Sequence, residues 1–260
     1  MLFINTRPQE RSQALSLALL QAGHQVLELP LLELTPTAYS LQLQQLYQNL
    51  PFCQVIVVVS PAAADVGMQY LQQSGISLND LRQLQWIAVG QTTAEHLKYY
   101  SISSQVPKLE TSEGMLELDV FRQFNDLHSV AFWRGEGGRQ FMMQNLHQQG
   151  IKVLNFILYE RSCPTQSIHD FSKVAAQIIQ YGNQVLVPIT SEASWSNWLD
   201  LCQNQQSVLQ LCHYLVLGER LYQLIHGYKI QHQAKFQVSK IEYLKPEVIL
   251  QYIAELQGKL

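Results

Sequence analysis

Charged residues are scarce in this chain. They make up 14% of its 260 residues, against a typical share of about 25%. Lysine and arginine together number 17 and aspartate and glutamate 20, which gives a formal net charge of −3. A general nucleic-acid binder usually has a basic excess, so this balance argues against nucleic acid as a partner, although it leaves room for a local basic cleft.

Cysteines and long apolar runs are scarce as well. The 4 cysteines lie far apart without a Cys-x-x-Cys pair, so we expect reduced thiols and no metal site. The densest apolar run, 55–59, is far shorter than the ~20 residues that span a bilayer. The segment 1–11 lacks the charged region and apolar core of a signal peptide. We therefore expect a cytoplasmic protein that does not enter a membrane.

Apolar runs alternate with amphipathic segments from end to end. Most of the runs are continuous, which is typical of parallel strands that helices cover on both faces. The predicted strands are 2–5, 25–29, 54–59, 86–89, 129–133, 152–158, 184–189 and 214–217. The predicted helices include 9–22, 61–73, 91–99, 138–149, 168–181 and 192–202. The fold class is therefore α/β with parallel sheets.

The chain also repeats itself at a long period. Arg7 and Arg134 occupy equivalent places, and the same offset brings Gly23 onto Gly150. The matching segments, in order, are 7–27 with 134–154, 60–63 with 190–193, and 87–90 with 215–218. Because the same units follow in the same order in both halves, we predict two similar Rossmann-like lobes.

The two lobes are not expected to be consecutive halves of the chain. Two segments in equivalent places, 30–36 and 157–164, run past a normal strand length before a proline. We expect the chain to cross between lobes there, so that 1–33 and 164–260 form a terminal lobe and 37–160 an inserted lobe. Two crossings side by side would make a two-stranded hinge that permits domain motion around a cleft.

Arginines follow two matching strands. In open α/β sheets, ligands bind outside the carboxyl ends of the strands. Arg7 and Arg134 stand there, with Arg139 nearby, and guanidinium groups in such places favour an acidic ligand through charge-assisted bonds. The alternative for each arginine is a solvated surface charge.

A glycine-rich segment, 133–139, follows one of these strands. Such a turn lets the backbone, for example at Gly135, approach an anion at the start of a helix; a tight turn without a ligand is equally compatible. Glu160 lies about twenty residues farther on, where a dinucleotide-binding fold keeps its ribose-binding acid. A dinucleotide-dependent enzyme therefore stays open.

Hydroxyl side chains recur just after predicted strands, at predicted helix starts. They are Ser60, Thr92, Thr93, Thr190 and Ser191. Helix capping is a sufficient reason for each one, and segments 6–9 and 92–95 have the capping-box pattern. Together with free helix N-terminal amides, these hydroxyls would suit the binding of several carboxylates.

No signature of a nucleophile is present. The chain has no Gly-x-Ser-x-Gly elbow, its cysteines have no motif partner, and its histidines are scattered. Tyr159, directly after the predicted strand 152–158, is one candidate proton donor. The alternative role for Tyr159 is an aromatic side chain that packs into the hinge.

Taken together, these motifs resemble those of the uroporphyrinogen-III synthase family in its bacterial form. The resemblance covers essentially the full length and depends on the order and spacing of 6–8, 60–63, 89–94, 112–114, 134–139 and 159–161. It implies two Rossmann-like lobes joined by a two-stranded ladder. It also implies cyclisation of hydroxymethylbilane, a linear tetrapyrrole polycarboxylate, to uroporphyrinogen III, with inversion of ring D through a spiro intermediate and without metal or organic cofactor.

The resemblance also implies roles for single residues. Tyr159 matches the family's tyrosine that assists departure of the substrate hydroxyl. Ser60, Thr93 and Ser191 match family positions in the two lobes. The chain departs from the family at 218–221, where many relatives keep threonines, so Arg220 becomes a candidate replacement for carboxylate binding.

Two further hypotheses compete with this one. One is a dinucleotide-dependent enzyme that uses the glycine-rich segment, and the other is a non-catalytic bilobed receptor for an acidic metabolite. The sequence has no signal for dimerisation, so we expect a monomer.

Overall fold

The computed structural model describes residues 1–122, 127–137, 140–182 and 184–258. Contacts divide the chain into two compact units. The terminal unit consists of Met1–Glu33 and Ser162–Leu260, and the inserted unit is Leu34–Arg161.

Strands and helices alternate through both units. The first elements are β1 (Leu2–Asn5), α1 (Gln9–Gln21), β2 (Gln25–Glu28), β3 (Glu33–Pro36), α2 (Leu41–Asn49), β4 (Val55–Val58), α3 (Pro61–Ser74), β5 (Gln85–Ala88), α4 (Gln91–Tyr99), α5 (Ser112–Leu116), α6 (Asp119–Arg122), β6 (Ser129–Gly135) and α7 (Phe141–Gln148). Then follow β7 (Lys152–Ser162), α8 (Thr165–Tyr181), β8 (Val185–Ile189), α9 (Glu192–Cys202), α10 (Gln206–Leu211), β9 (Cys212–Leu217), α11 (Glu219–Gln231), β10 (Gln237–Ile241) and α12 (Pro246–Leu256).

Each unit has its own five-stranded sheet. The order is β10-β9-β8-β1-β2 in the terminal unit, and these strands pair in parallel. The second sheet has the order β3-β7-β6-β4-β5, in which β7, β6, β4 and β5 pair in parallel. The predicted class, α/β with parallel sheets, is confirmed.

Helices cover both faces of each sheet. Successive side chains of a strand point to opposite faces. In β1, Leu2 and Ile4 pack into one apolar core and Phe3 into another. In β4, Ile56 and Val58 belong to one core, and Val55 and Val57 belong to the other. Burial on both faces is therefore the reason that these strands read as continuous apolar runs.

The strand orders agree with the repeat in the sequence. Strands β9-β8-β1-β2 of the terminal unit correspond in order to β5-β4-β6-β7 of the inserted unit. The units differ at their edges. Strand β10 lies beside β9, whereas β5 has only an isolated parallel bridge between Ile87 and Gln105 in that place.

The two strands at which the chain passes between units are hydrogen-bonded neighbours. One passage lies between Glu33 and Leu34 in β3, and the other between Arg161 and Ser162 in β7. Strand β7 extends through Ser162, well past the predicted end at residue 158. Several elements, among them β10, α2, α10 and α12, were not predicted from the sequence.

Candidate functional site

A register shift between β6 and β7 brings two predicted residues together. The strands pair regularly as far as Arg134, and after the shift Gly135 lies opposite Tyr159. Such bulges often lie next to functional sites because they redirect a side chain. A Cβ atom built on Gly135 would be 2.3 Å from the Tyr159 ring. Gly135 is thus required by the packing of Tyr159, and this close approach explains the glycine without a phosphate ligand.

The hydroxyl of Tyr159 lies in a small hydrogen-bond cluster. Tyr159 is 1% exposed, and its Oη is 3.0 Å from Ser60 Oγ. Arg161 Nη2 donates to the same Oη at 3.1 Å, and Arg161 Nη1 donates to the carbonyl oxygen of Glu136 at 3.1 Å. Because Arg161 donates to the phenolic oxygen, the phenolic proton is left for Ser60 or for a ligand.

Ser60 is held by the start of α3. It is the N-cap residue, its Oγ accepts from the Ala63 amide at 3.1 Å, and Pro61 occupies the first turn. The predicted capping role of Ser60 is confirmed. The same oxygen contacts Tyr159, so one side chain both caps the helix and fixes the phenol.

Arg161 is part of the site, although no role was predicted for it. A signal was available, because residues i and i+2 of a strand share a face. Arg161 follows Tyr159 by two positions in β7, and its guanidinium carbon lies 5.2 Å from the centre of the Tyr159 ring. The predicted strand ended at residue 158, before both residues, so their shared face was not recognised.

Burial of Arg134 rules out the alternative of a solvated surface charge. Arg134 lies one residue before the end of β6, not after the strand, and is only 6% exposed. Its Nε donates to the carbonyl oxygen of Gly135 at 3.2 Å. Burial lowers the pKa of Arg134, and the nearby guanidinium of Arg161 lowers it further.

The start of α4 corrects a second prediction. The N-cap residue is Gly90, which has no side chain that could cap the helix, so the capping box expected at 92–95 is wrong. Thr93 is buried and Thr92 is exposed. The amide of Gln91 donates to Glu110 Oε1 at 2.8 Å. A carboxylate of the protein therefore already pairs with the first amide of α4, which the sequence did not reveal.

The terminal unit holds Arg7 and Ser191 near the carboxyl ends of neighbouring strands. Ser191 is the N-cap residue of α9, and its Oγ accepts from the Ser194 amide at 3.1 Å. Arg7 is half-buried after β1, and burial lowers its pKa. The capping box expected at 6–9 is wrong, because Thr6 Oγ1 donates instead to the carbonyl oxygen of Pro188 and ties β1 to β8.

Two other predicted residues have different outcomes. Arg220 Nη1 lies 2.9 Å from Glu192 Oε1 in an ion pair, so its charge already has a partner within the protein. Arg139 lies outside the described residues. The structure brings Ser60, Arg134, Gly135 and Tyr159 into one neighbourhood of the inserted unit, but gives Thr92 and Thr93 no hydrogen bond to that group.

Neither a metal-binding cluster nor a membrane-spanning helix is found in the described part of the chain. No group of three or more histidine, cysteine, aspartate or glutamate residues there is arranged to hold a metal ion. Within the same residues, no helix has both the length and the apolar character needed to cross a bilayer. The cysteines are free thiols, and burial raises the pKa of Cys212 to about 12, which makes that thiol unreactive.

The fold and the site define a class of protein: two α/β units with hydroxyl and guanidinium groups at the ends of parallel strands. Such groups are suited to binding small anionic ligands. A family model described as HEM4, uroporphyrinogen-III synthase HemD, matches residues 13–240. The chain therefore belongs to the uroporphyrinogen-III synthase family. Its enzyme class is that of the family, a cyclising lyase of tetrapyrrole biosynthesis.

Individual relatives agree with the family. The chain is 28% identical over 158 residues, 60% of its length and 78% of the relative, to uroporphyrinogen-III synthase of Proteus mirabilis. It is 27% identical over 207 residues, 79% of its length and 76% of the relative, to that of Synechococcus elongatus.

Solved structures match over nearly the whole chain. A mutant uroporphyrinogen III synthase of Thermus thermophilus is similar with a TM-score of 0.66 and 14% identity, over 99% of both chains. The enzyme of Helicobacter pylori is similar with a TM-score of 0.61 and 13% identity, over 98% of both chains. These similarities show the fold, and the comparisons favour neither the dinucleotide-dependent enzyme nor the receptor.

Proposed function

We propose that this protein cyclises hydroxymethylbilane to uroporphyrinogen III, with inversion of ring D through a spiro intermediate. Membership of the family supports the reaction. The single structural observation that carries the proposal is the phenol of Tyr159, held between Ser60 and Arg161 at the strand ends of the inserted unit.

Tyr159 is the proposed proton donor. The reaction begins when the C–O bond of the ring A hydroxymethyl group breaks, and the phenolic proton converts the departing hydroxide into water. The phenolic oxygen then gains negative charge, which the guanidinium of Arg161, already donating to that oxygen, stabilises. The macrocycle loses a proton as it closes, and this proton restores the phenol.

The substrate carboxylates are the proposed ligands of the remaining predicted residues. These are Arg7, Ser60, Thr92, Thr93, Arg134, Gly135, Arg139 and Ser191. Hydroxyls, main-chain amides and guanidinium groups can together bind many carboxylates without a large net positive charge. Most of the catalytic effect then comes from positioning the chain for closure of the correct isomer.

Replacing Tyr159 tests the catalytic role. Tyr159→Phe should lower turnover by a factor of up to about 10²–10⁴, the range for one proton-transfer group. The assay uses freshly generated hydroxymethylbilane and separates isomer I from isomer III. Tyr99→Phe is the matched control, because Tyr99 is 82% exposed in the same unit. Wild-type turnover in Tyr159→Phe would remove Tyr159 from the mechanism, and formation of isomer I alone by the wild type would refute the function.

The proposal extends to the organisation of the chain. A terminal lobe of 1–33 and 164–260 and an inserted lobe of 37–160 are joined by a hinge at 30–36 and 157–164. Pairing of β3 with β7 supports a two-stranded connection. The protein acts as a cytoplasmic monomer without a cofactor, and light scattering at working concentrations tests its oligomeric state.

A further inference from the structure

A small cavity lies beside the Tyr159 cluster. It has a volume of about 170 Å³ and lies entirely within the inserted unit. Val59 and Val89, just past the ends of β4 and β5, contribute to its wall, and methionine side chains such as Met115 and Met142 make much of the rest apolar. Arg161 and the exposed Gly137 also line it, so the cavity reaches the surface.

Arg134 contributes the guanidinium group of this cavity. It is 6% exposed, its Nε donates to the carbonyl oxygen of Gly135, and its Nη1 is 3.8 Å from Met143 Sδ, a weak acceptor. No carboxylate within 1–122, 127–137, 140–182 or 184–258 forms an ion pair with it. After burial, the like charge of Arg161 is the main cause that lowers the pKa of Arg134.

A buried arginine without a counter-ion is costly. An arginine side chain does not lose its proton in a protein, so the positive charge persists, and an unpaired buried charge destabilises the fold. The second guanidinium, on Arg161, increases the local positive potential. An anion in the cavity would offset both effects, and a carboxylate matches the planar geometry of a guanidinium group.

We propose that this cavity is a pocket for a single carboxylate arm of the ligand, bound by Arg134 with Arg161 at the rim. The identity of that arm rests on the proposed function. The presence of an anion site does not depend on the proposed function. The apolar wall accommodates the methylene part of the arm and excludes water around the charge pair. Since Arg161 also donates to Tyr159 Oη, a filled pocket lies directly beside the proposed proton donor.

Binding of simple carboxylates tests the pocket without the reaction. Sodium acetate and sodium propionate are titrated into the full-length protein, with sodium chloride at equal ionic strength, while NMR follows the backbone amide of Gly135. We expect a saturable shift with the carboxylates and none with chloride. Arg134→Met should abolish the shift and Arg82→Met should leave it unchanged, because Arg82 is an exposed residue that donates to nearby Asn79 and does not line the cavity.

Two further measurements separate a binding role from a structural one. An unpaired buried charge is costly, so Arg134→Met should keep or raise the unfolding midpoint of the free protein. Its KM for hydroxymethylbilane should rise roughly tenfold or more, as expected for loss of one charge-assisted contact.

The possible failures are distinguishable. If the wild type shows no saturable shift with either carboxylate, or if Arg134→Met unfolds the protein, the pocket is refuted whatever the enzyme does. If acetate binds in the wild type and not in Arg134→Met, while the wild type forms no isomer III, the pocket stands and the proposed function fails.

Discussion

At the scale of single residues, close packing decides which side chains the site can use. The ring of Tyr159 fills the space that a side chain at Gly135 would need, and the two residues face each other only because the β6–β7 register shifts. The phenol then has two polar neighbours, from Ser60 and Arg161. The orientation of the phenol therefore depends on a glycine that leaves room for its ring.

Gly135→Ala tests this dependence. The added methyl group would be 2.3 Å from the ring, so Tyr159 must move away from Ser60, and overpacking should cost about 1–3 kcal/mol of stability. We expect turnover of hydroxymethylbilane to fall, as it should in Tyr159→Phe. Gly227→Ala is the control, since nothing lies within 4 Å of the added atom. A Gly135→Ala enzyme with unchanged turnover would contradict this account of Tyr159.

At the scale of elements, helices pack on the sheets through positions that the hydrophobic pattern alone does not identify. Gly67, in the middle of α3, lies against the ring of the fully buried Trp133 of β6. Glycine normally weakens a helix interior by roughly 1 kcal/mol relative to alanine. At Gly67 the close approach of α3 to β6 outweighs that cost.

Gly67 and Gly227 should therefore respond in opposite directions to alanine. Gly67→Ala places a methyl group 2.1 Å from Trp133 Cε3 and should lower the free energy of unfolding by about 1–3 kcal/mol. Gly227→Ala, on the exposed side of α11, should raise it by about 0.4–1 kcal/mol, because alanine favours helix and narrows the unfolded ensemble. Urea titrations of both variants and the wild type measure the difference. Stabilisation by Gly67→Ala would show that α3 can shift away from the sheet.

A buried histidine joins three elements of the terminal unit. His213 of β9 is 7% exposed, and its Nε2 lies 2.9 Å from Ser239 Oγ of β10 and 3.1 Å from Tyr252 Oη of α12. Burial lowers the pKa of His213, and the positive charge of Lys229 lowers it further. The folded protein thus favours the neutral imidazole.

This arrangement predicts a pH dependence of stability. In the unfolded chain, the imidazole binds a proton below about pH 6.5, the ordinary pKa of histidine. In the folded protein, His213 binds a proton only at lower pH, because its pKa is lowered. The free energy of unfolding should therefore fall as the pH falls from 7.5 to 5.5. Urea titrations should show a smaller fall in His213→Gln than in the wild type. His169→Gln, an exposed substitution on α8, should keep the wild-type slope; equal slopes in all three proteins would be evidence against the effect.

At the scale of the whole molecule, two units of related strand order each have apolar cores on both faces of the sheet. The inserted unit is one continuous stretch, Leu34–Arg161. The terminal unit is interrupted by it, and its two segments meet where Ser162 Oγ donates to Glu33 Oε1 at 3.3 Å. A unit with its own sheet and core has the properties of an independent domain.

The inserted unit should accordingly fold by itself. A fragment of residues 34–161 is expected to give dispersed amide resonances and a single cooperative urea transition. The matched fragment joins residues 1–33 to 162–260 through a short glycine–serine linker and should behave in the same way. A fragment that stays unfolded would show that its core needs the other unit.

Much of the fold was predictable because its determinants are local. Ser60-Pro61 predicts a capped helix start from two neighbouring residues, and the structure confirms it. Strand β10 was missed because its burial is mixed, with an exposed Gln237 and a buried Ile241, so it lacks the continuous apolar pattern of the central strands. The capping box at 92–95 was wrong because Glu110, distant in sequence, supplies the carboxylate at the start of α4.

The sequence by itself determined the α/β class, the long repeat and the family, because hydrophobic period, helix-start residues and motif order are all properties of neighbouring positions along the chain. Only the tertiary structure decided that Ser60 and Arg161 meet at Tyr159 and that Arg134 is buried without a carboxylate partner among the described residues. These contacts depend on strand register, a bulge and the close packing of side chains. A one-dimensional pattern does not record which atoms such packing brings together.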